Sequence, residues 1–231
     1  MNKPSNPFSP QAFSLLELLA SIAIIATLCA LIAPKTTDWI NRSKDAQCVQ
    51  KLRTVQQAAL LYTCDNSGRL PLALVADGNG GTSSDPSVYN ALSTYLGDPP
   101  KNVGPGKISP QWQKIWWCPR AQGKTEWTQE TLGYNVGLGA PSMNIPERTL
   151  GAISSPSKTV VFSCITSNYV VFPWMAYVTP SKGSSTGGQL PDWHSGGCNI
   201  VFLDGHVLQA QEITSNDPRS RWWNVNDALA P

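Results

Sequence analysis

The sequence predicts an α+β protein, with a long N-terminal α-helix, membrane-spanning in its first half, packed on a small antiparallel β-sheet head. Three observations carry this. Leu15 to Ala33 is apolar or small throughout except for Glu17, Ser21 and Thr27. From Lys35 to Asn66, apolar residues such as Trp39, Leu52, Val55, Ala59 and Tyr62 recur at three- and four-residue steps with charges between them, the mark of an amphipathic helix. The C-terminal part holds β-branched and aromatic runs bounded by Pro, Ser and Asn, which read as strands.

The apolar run is about as long as a helix needs to cross a bilayer core of roughly 30 Å. With no water there, each backbone amide and carbonyl must pair internally, so helix is the expected form. Glu17 is the exception within it. A carboxylate at the centre of such a segment costs about 2.5–3.5 kcal/mol, and less near an end, so it reads as a functional residue with a partner elsewhere. A secretory signal peptide would end in a small-x-small site, but Leu31 and Pro34 stand in the way. Leu28 before Cys29 argues against a lipoprotein signal. A plain single-pass anchor explains the length and leaves Glu17 unexplained. Residues 1–11 contain three prolines and cannot continue a helix well; they read as a short leader. Lys3 and Lys35 oppose each other, so charge does not settle orientation.

Ala12-Phe13-Ser14-Leu15-Leu16-Glu17 resembles the cleavage and methylation signal of type IV pilins and type II secretion pseudopilins. The resemblance implies a cut by prepilin peptidase between Ala12 and Phe13, and N-methylation of Phe13. Ala12 stands where glycine is more usual. Glu17 becomes the fifth mature residue and Pro34 the twenty-second, where the family carries a helix-loosening proline. In a filament, the Glu17 carboxylate would meet the α-amino group of a neighbour's Phe13, and burial of the pair removes the penalty either charge suffers alone. The resemblance further implies a bacterial inner-membrane protein, single-pass, with its C-terminal domain periplasmic or extracellular in a filament. Its implied partners are the prepilin peptidase, other pilin or pseudopilin subunits and inner-membrane lipid. The chain then divides into a leader (1–12), a transmembrane and assembly helix (13–34), an amphipathic continuation (35–67) and a globular head (68–231).

Further along, Cys48 to Pro71 is similar to pilin-like proteins that carry a C-terminal motif of His, nine residues, then Asp-Gly. Asp65-Asn66-Ser67-Gly68 supplies a helix stop, with Gly68 suited to a left-handed cap. Residues 77–110 read as an irregular surface region around one small helix, Val88 to Leu96. Ile115 to Pro119 reads as buried, and Tyr134-Asn135 as a strand. Thr159–Ile165 and Tyr169–Phe172 are predicted strands. Cys198–Leu203 and His206–Ala210 are predicted to pair through a two-residue Asp204-Gly205 turn, and nine residues separate His194 from Asp204. The C-terminal motif is therefore complete at His194, Asp204 and Gly205.

These three motif residues have a structural reading: Asp204 and Gly205 make the turn, and His194 fixes the loop. Calcium at Asp204 and loop carbonyls, or catalysis with Ser195 or Cys198, are the competing readings. There are two histidines in all, no nucleophile elbow and no paired-cysteine metal spacing, so neither enzyme residues nor cofactor or metal ligands are assigned. Six cysteines are present, and a periplasmic head permits disulfides. Cys48 and Cys64 are sixteen residues apart on one helix, about 24 Å at 1.5 Å per residue, too far to bridge. We take Cys118 as the partner of one of them; Cys29 lies in the apolar run, and the remaining odd count leaves at least one thiol free. A net charge of +2 with 14% charged residues gives no basic face for nucleic acid.

The expected function is structural: a subunit of a type II secretion pseudopilus or type IV pilus-like filament, not an enzyme. The alternative is a membrane-anchored envelope protein that binds a glycan or a protein partner without polymerising. That alternative draws on the tryptophans: Trp112, Trp116, Trp117, Trp127, Trp174, Trp193, Trp222 and Trp223 all fall in the head. Core or interface packing is their simpler use.

Overall fold

The computed structural model describes residues 14–32, 36–73, 87–97, 115–121, 131–165, 170–171 and 190–211. Ala12, Phe13 and Pro34 lie outside the described residues, as do Trp112, Trp127, Trp174, Trp222 and Trp223. The chain is α+β and separates into two units, residues 1–42 and 43–231.

In the first unit, α1 runs from Leu15 to Ile32. Apolar residues on every side of it are exposed, from Leu15 (80%) through Ile24 (61%) to Leu31 (73%). Its polar side chains are handled locally. The Ser21 hydroxyl donates to the Leu18 carbonyl and that of Thr27 to Ile24, at 2.7 and 2.8 Å, so each is satisfied within the helix, as an apolar surrounding demands. Glu17 sits in the first turn, where the amide ends of the helix favour a carboxylate. Eighteen residues span about 27 Å at 1.5 Å per residue, slightly short of a hydrocarbon core of roughly 30 Å. Among the described residues no single helix is long and apolar enough to cross a membrane; α1 and the next helix pass together, by length and composition.

That next helix, α2, spans Thr36–Asp65, as its spacing predicts. Cys48, Leu52, Val55, Ala59 and Thr63 are buried, a stripe at three- and four-residue steps. The helix stops where expected: Ser67 and Gly68 both take positive φ, 57° and 80°, and the Gly68 amide donates to the Thr63 carbonyl at 2.9 Å. A glycine tolerates that conformation freely, which satisfies the last orphan carbonyls.

In the head, α3 (Ser87–Ser93) continues into a short 3-10 turn, Thr94–Leu96, matching the predicted small helix. The sheet contains β1 (Leu132–Asn135), β2 (Val160–Cys164), β3 (Val170–Val171), β4 (Gly197–Phe202) and β5 (Val207–Gln211). Its order is β3-β1-β2-β4-β5. β1, β2, β4 and β5 pair antiparallel, as predicted, while the two-residue β3 joins β1 in parallel. Every residue of β1, β2 and β4 is buried, which explains the continuous apolar runs Val160–Phe162 and Ile200–Phe202. The core joins this sheet to the buried stripe of α2, and the Gln56 amide donates to the Leu203 carbonyl at 2.9 Å. Trp116 fills the space between Tyr89 and Phe162, with ring centroids 4.3 and 5.9 Å away.

The turn between β4 and β5 differs from the predicted two-residue Asp-Gly hairpin. Leu203, Asp204 and Gly205 form a three-residue loop, closed by Gly205 N–H to Phe202 O at 2.9 Å and Phe202 N–H to His206 O at 3.0 Å. Only Gly205 takes positive φ, 89°, so the left-handed position falls on the glycine alone, as in a type I turn with a bulge. Asp204 keeps an ordinary backbone and uses its carboxylate, which accepts from the His206 amide (3.2 Å) and pairs with the His206 ring (2.6 Å).

Candidate metal centre

Four side chains converge within the second unit, from α2, the segment after Trp116, the end of β2 and the turn before β4. Cys48 comes from α2 and Cys164 ends β2. Cys118 lies just after the buried Trp116; its amide donates to the Thr131 hydroxyl, and its carbonyl accepts from Ala121 at 2.9 Å. His194 precedes β4 in a tight turn. Ser195 and Gly196 both take positive φ, 51° and 85°, and His194 and Gly197 exchange two backbone hydrogen bonds of 3.0 Å. This is the two-residue turn whose twist matches a hairpin, and it aims the imidazole inward. Gly197 has no alternative: a Cβ there would meet the Ala210 carbonyl oxygen at 2.6 Å.

The Cys118 Sγ and Cys164 Sγ lie 3.2 and 3.4 Å from His194 Nε2, and Cys48 Sγ lies 3.3 Å from Cys164 Sγ. All four candidate ligand atoms are within 4.8 Å of one another, and all four residues are buried. The other ring nitrogen, Nδ1, contacts Asp45 Oδ1 at 2.7 Å. Asp45 in turn pairs with Arg120 at 3.1 Å, whose Nε also reaches the Trp193 carbonyl at 3.0 Å. Lys51 donates to the Trp117 carbonyl at 2.7 Å and places its charge near Cys48 and Cys118.

The clustered groups shift one another in opposite directions. Hydrogen bonds from Cys164 and Cys48, then His194, hold the Cys118 thiol far below its ordinary value. Cys48 is pushed up, first by its bond to Cys118, and Cys164 is pushed up first by burial. Burial works against a charged His194, but its bonds to Cys118 and Asp45 outweigh it and raise the imidazole.

From the sequence, His194 reads as a structural residue and the cysteines as candidates for disulfides. In the structure all six cysteines are free thiols, so the expected pairing of Cys118 with Cys48 or Cys64 is absent; Cys64 is exposed, while Cys48 and Cys118 sit together in the cluster. Cys198, also buried, turns its thiol to the Cys164 and Asn199 carbonyls instead. The His194 ring bonds to Asp45 and the thiols, while its carbonyl accepts from the Gln209 amide of β5. Asp204 and His206 are partly exposed and pair with each other. The three clustered cysteines leave no signal in the sequence because no two share a short spacing; only His194 stands out, through its spacing to Asp204-Gly205.

Cys118, His194 and Asp45 also have the connectivity of a nucleophilic triad. A nucleophile needs an approach path, and Cys118 and His194 are 0% and 1% exposed. A second thiol, Cys164, contacts the same imidazole and Cys48 Sγ lies against Cys164, which a triad does not need. Three thiols and one imidazole suit a soft or borderline cation rather than calcium, which takes oxygen. Comparison with known protein families, curated proteins and solved structures finds no match for this chain.

Proposed function

We propose that this chain is a structural subunit of a type II secretion pseudopilus or type IV pilus-like filament, processed by prepilin peptidase between Ala12 and Phe13 and acting without catalysis of its own. The observation that carries the reading is α1. It is an apolar helix exposed on all sides, with one carboxylate, Glu17, in its first turn. Such a surface has to be covered by lipid or by like helices, because water around it is unfavourable at roughly 25 cal/mol per Å². The Ala12-Phe13 and Glu17 register supplies the reason for lipid first and neighbouring subunits afterwards. A pilin-like head, with a long helix laid on an antiparallel sheet, fits the same reading.

The rival is an anchored binding protein with a tryptophan-lined surface. Of the described tryptophans in the head, Trp116 and Trp193 are buried and Trp117 is half-buried, so they serve packing and lend that reading no surface.

Intact-mass and N-terminal peptide analysis of the protein from its native membranes is the test. The expected mature chain starts at N-methylated Phe13. A chain that still starts at Met1 in cells with an active prepilin peptidase would leave a plain anchor.

A further inference from the structure

We propose that Cys48, Cys118, Cys164 and His194 bind one zinc ion as a closed, structural site that fastens α2 to the sheet of the head. The site is independent of the filament reading and would stand if that reading fell.

The geometry carries the assignment. Around a tetrahedral zinc, with Zn–S of about 2.3 Å and Zn–N of about 2.0–2.1 Å, neighbouring ligand atoms sit roughly 3.5–3.8 Å apart. The contacts of 3.2, 3.3 and 3.4 Å and the 4.8 Å limit on the whole set need only small adjustments to reach it. Three thiolates and one imidazole complete four-fold coordination and leave no open position, the mark of a structural rather than a catalytic site. Nε2 is the donor atom, which leaves Nδ1–H to bond Asp45. A carboxylate in that place fixes the ring and raises its basicity, as is usual for histidine ligands to zinc. Arg120 holds Asp45 in turn. Three thiolates around a dication leave one negative charge, and Lys51 offsets it from beside Cys48 and Cys118. Thiols that are still protonated release their protons to solvent as the metal binds.

A disulfide is the competing fate. Any one bridge among three clustered thiols strands the third and leaves the oriented His194–Asp45–Arg120 chain without purpose. Zinc uses every group.

The test uses the full chain in detergent, reduced and free of oxygen. Elemental analysis is expected to find one zinc per chain, and X-ray absorption on the zinc-loaded protein three sulfur and one nitrogen ligands. Cobalt in place of zinc is expected to give thiolate charge-transfer and tetrahedral bands. Cys118→Ser should abolish them, while Cys64→Ser and Cys198→Ser should retain them. Asp45→Asn should weaken zinc binding about 10–100-fold. Because the ligand variant can also fail by misfolding, the absorption measurement on the unmodified chain decides. The proposal is overturned if the reduced chain takes up no zinc or shows a different ligand set. It is equally overturned if peptides from native membranes carry a disulfide among Cys48, Cys118 and Cys164.

Discussion

The two ring nitrogens of His194 face different chemistry: Nε2 meets the thiols of Cys118 and Cys164, and Nδ1 meets Asp45. A residue with only one interested nitrogen would be an ordinary buried histidine. Tyr134 is the second case where burial decides a residue's behaviour. Its hydroxyl donates to the Pro71 carbonyl at 2.8 Å, and burial, with a smaller contribution from Tyr62, pushes its pKa up. Unfolding returns it to about 10. The folded state therefore binds the proton more tightly. Its stabilisation is complete below the unfolded value and is lost as pH rises from there through the folded one. Thermal midpoints measured from neutral to alkaline pH should fall steeply above about pH 10. Tyr134→Phe should lose about 1 kcal/mol at neutral pH for the hydrogen bond and show a shallower alkaline fall. An unchanged alkaline slope would remove Tyr134 as its source.

Among the elements, α2 does two jobs with two faces. Its buried stripe closes the core, and its outer face keeps residues such as Leu61 exposed (55%). Leu52→Ala should destabilise the head by about 2–5 kcal/mol through the cavity it leaves. Leu61→Ala should stay within about 0.5 kcal/mol. Denaturant titration of the full chain in detergent separates them, and equal losses would contradict the assigned face. The β4–β5 hairpin accounts for the nine residues between His194 and Asp204. Between His194 and Asp204 lie the Ser195-Gly196 turn, the strand β4 and Leu203. In this chain the spacing thus measures one strand between two tight turns. The hairpin is legible because Asp-Gly after a short β-branched and aromatic run is a local signal. The loop length is not, since a two-residue and a three-residue loop both use Asp-Gly.

For the whole molecule, α1 presents an apolar surface and the head supplies its own core, so the two should respond separately to mutation. On the proposed filament reading, Glu17→Ala is expected to abolish incorporation into sheared filaments, because a neighbour's Phe13 amine would lose its counter-charge. The thermal stability of the head should not change. Normal incorporation of the variant, measured by its level in the filament fraction, would sink the assembly mechanism.

Neighbours along the chain decide several features without help from the rest of the fold. These are the apolar run with Glu17 in it, the long α2 and its stop at Gly68, the small helix α3, and the strands β2, β4 and β5. Each follows from periodicity, capping or turn chemistry within a few residues. Tertiary structure alone decided the strand order, the parallel addition of β3 and the meeting of Cys48, Cys118, Cys164 and His194. Those residues are far apart along the chain and carry no shared spacing. What brings them together is the burial of α2 against the sheet, a long-range balance of packing that no local pattern records.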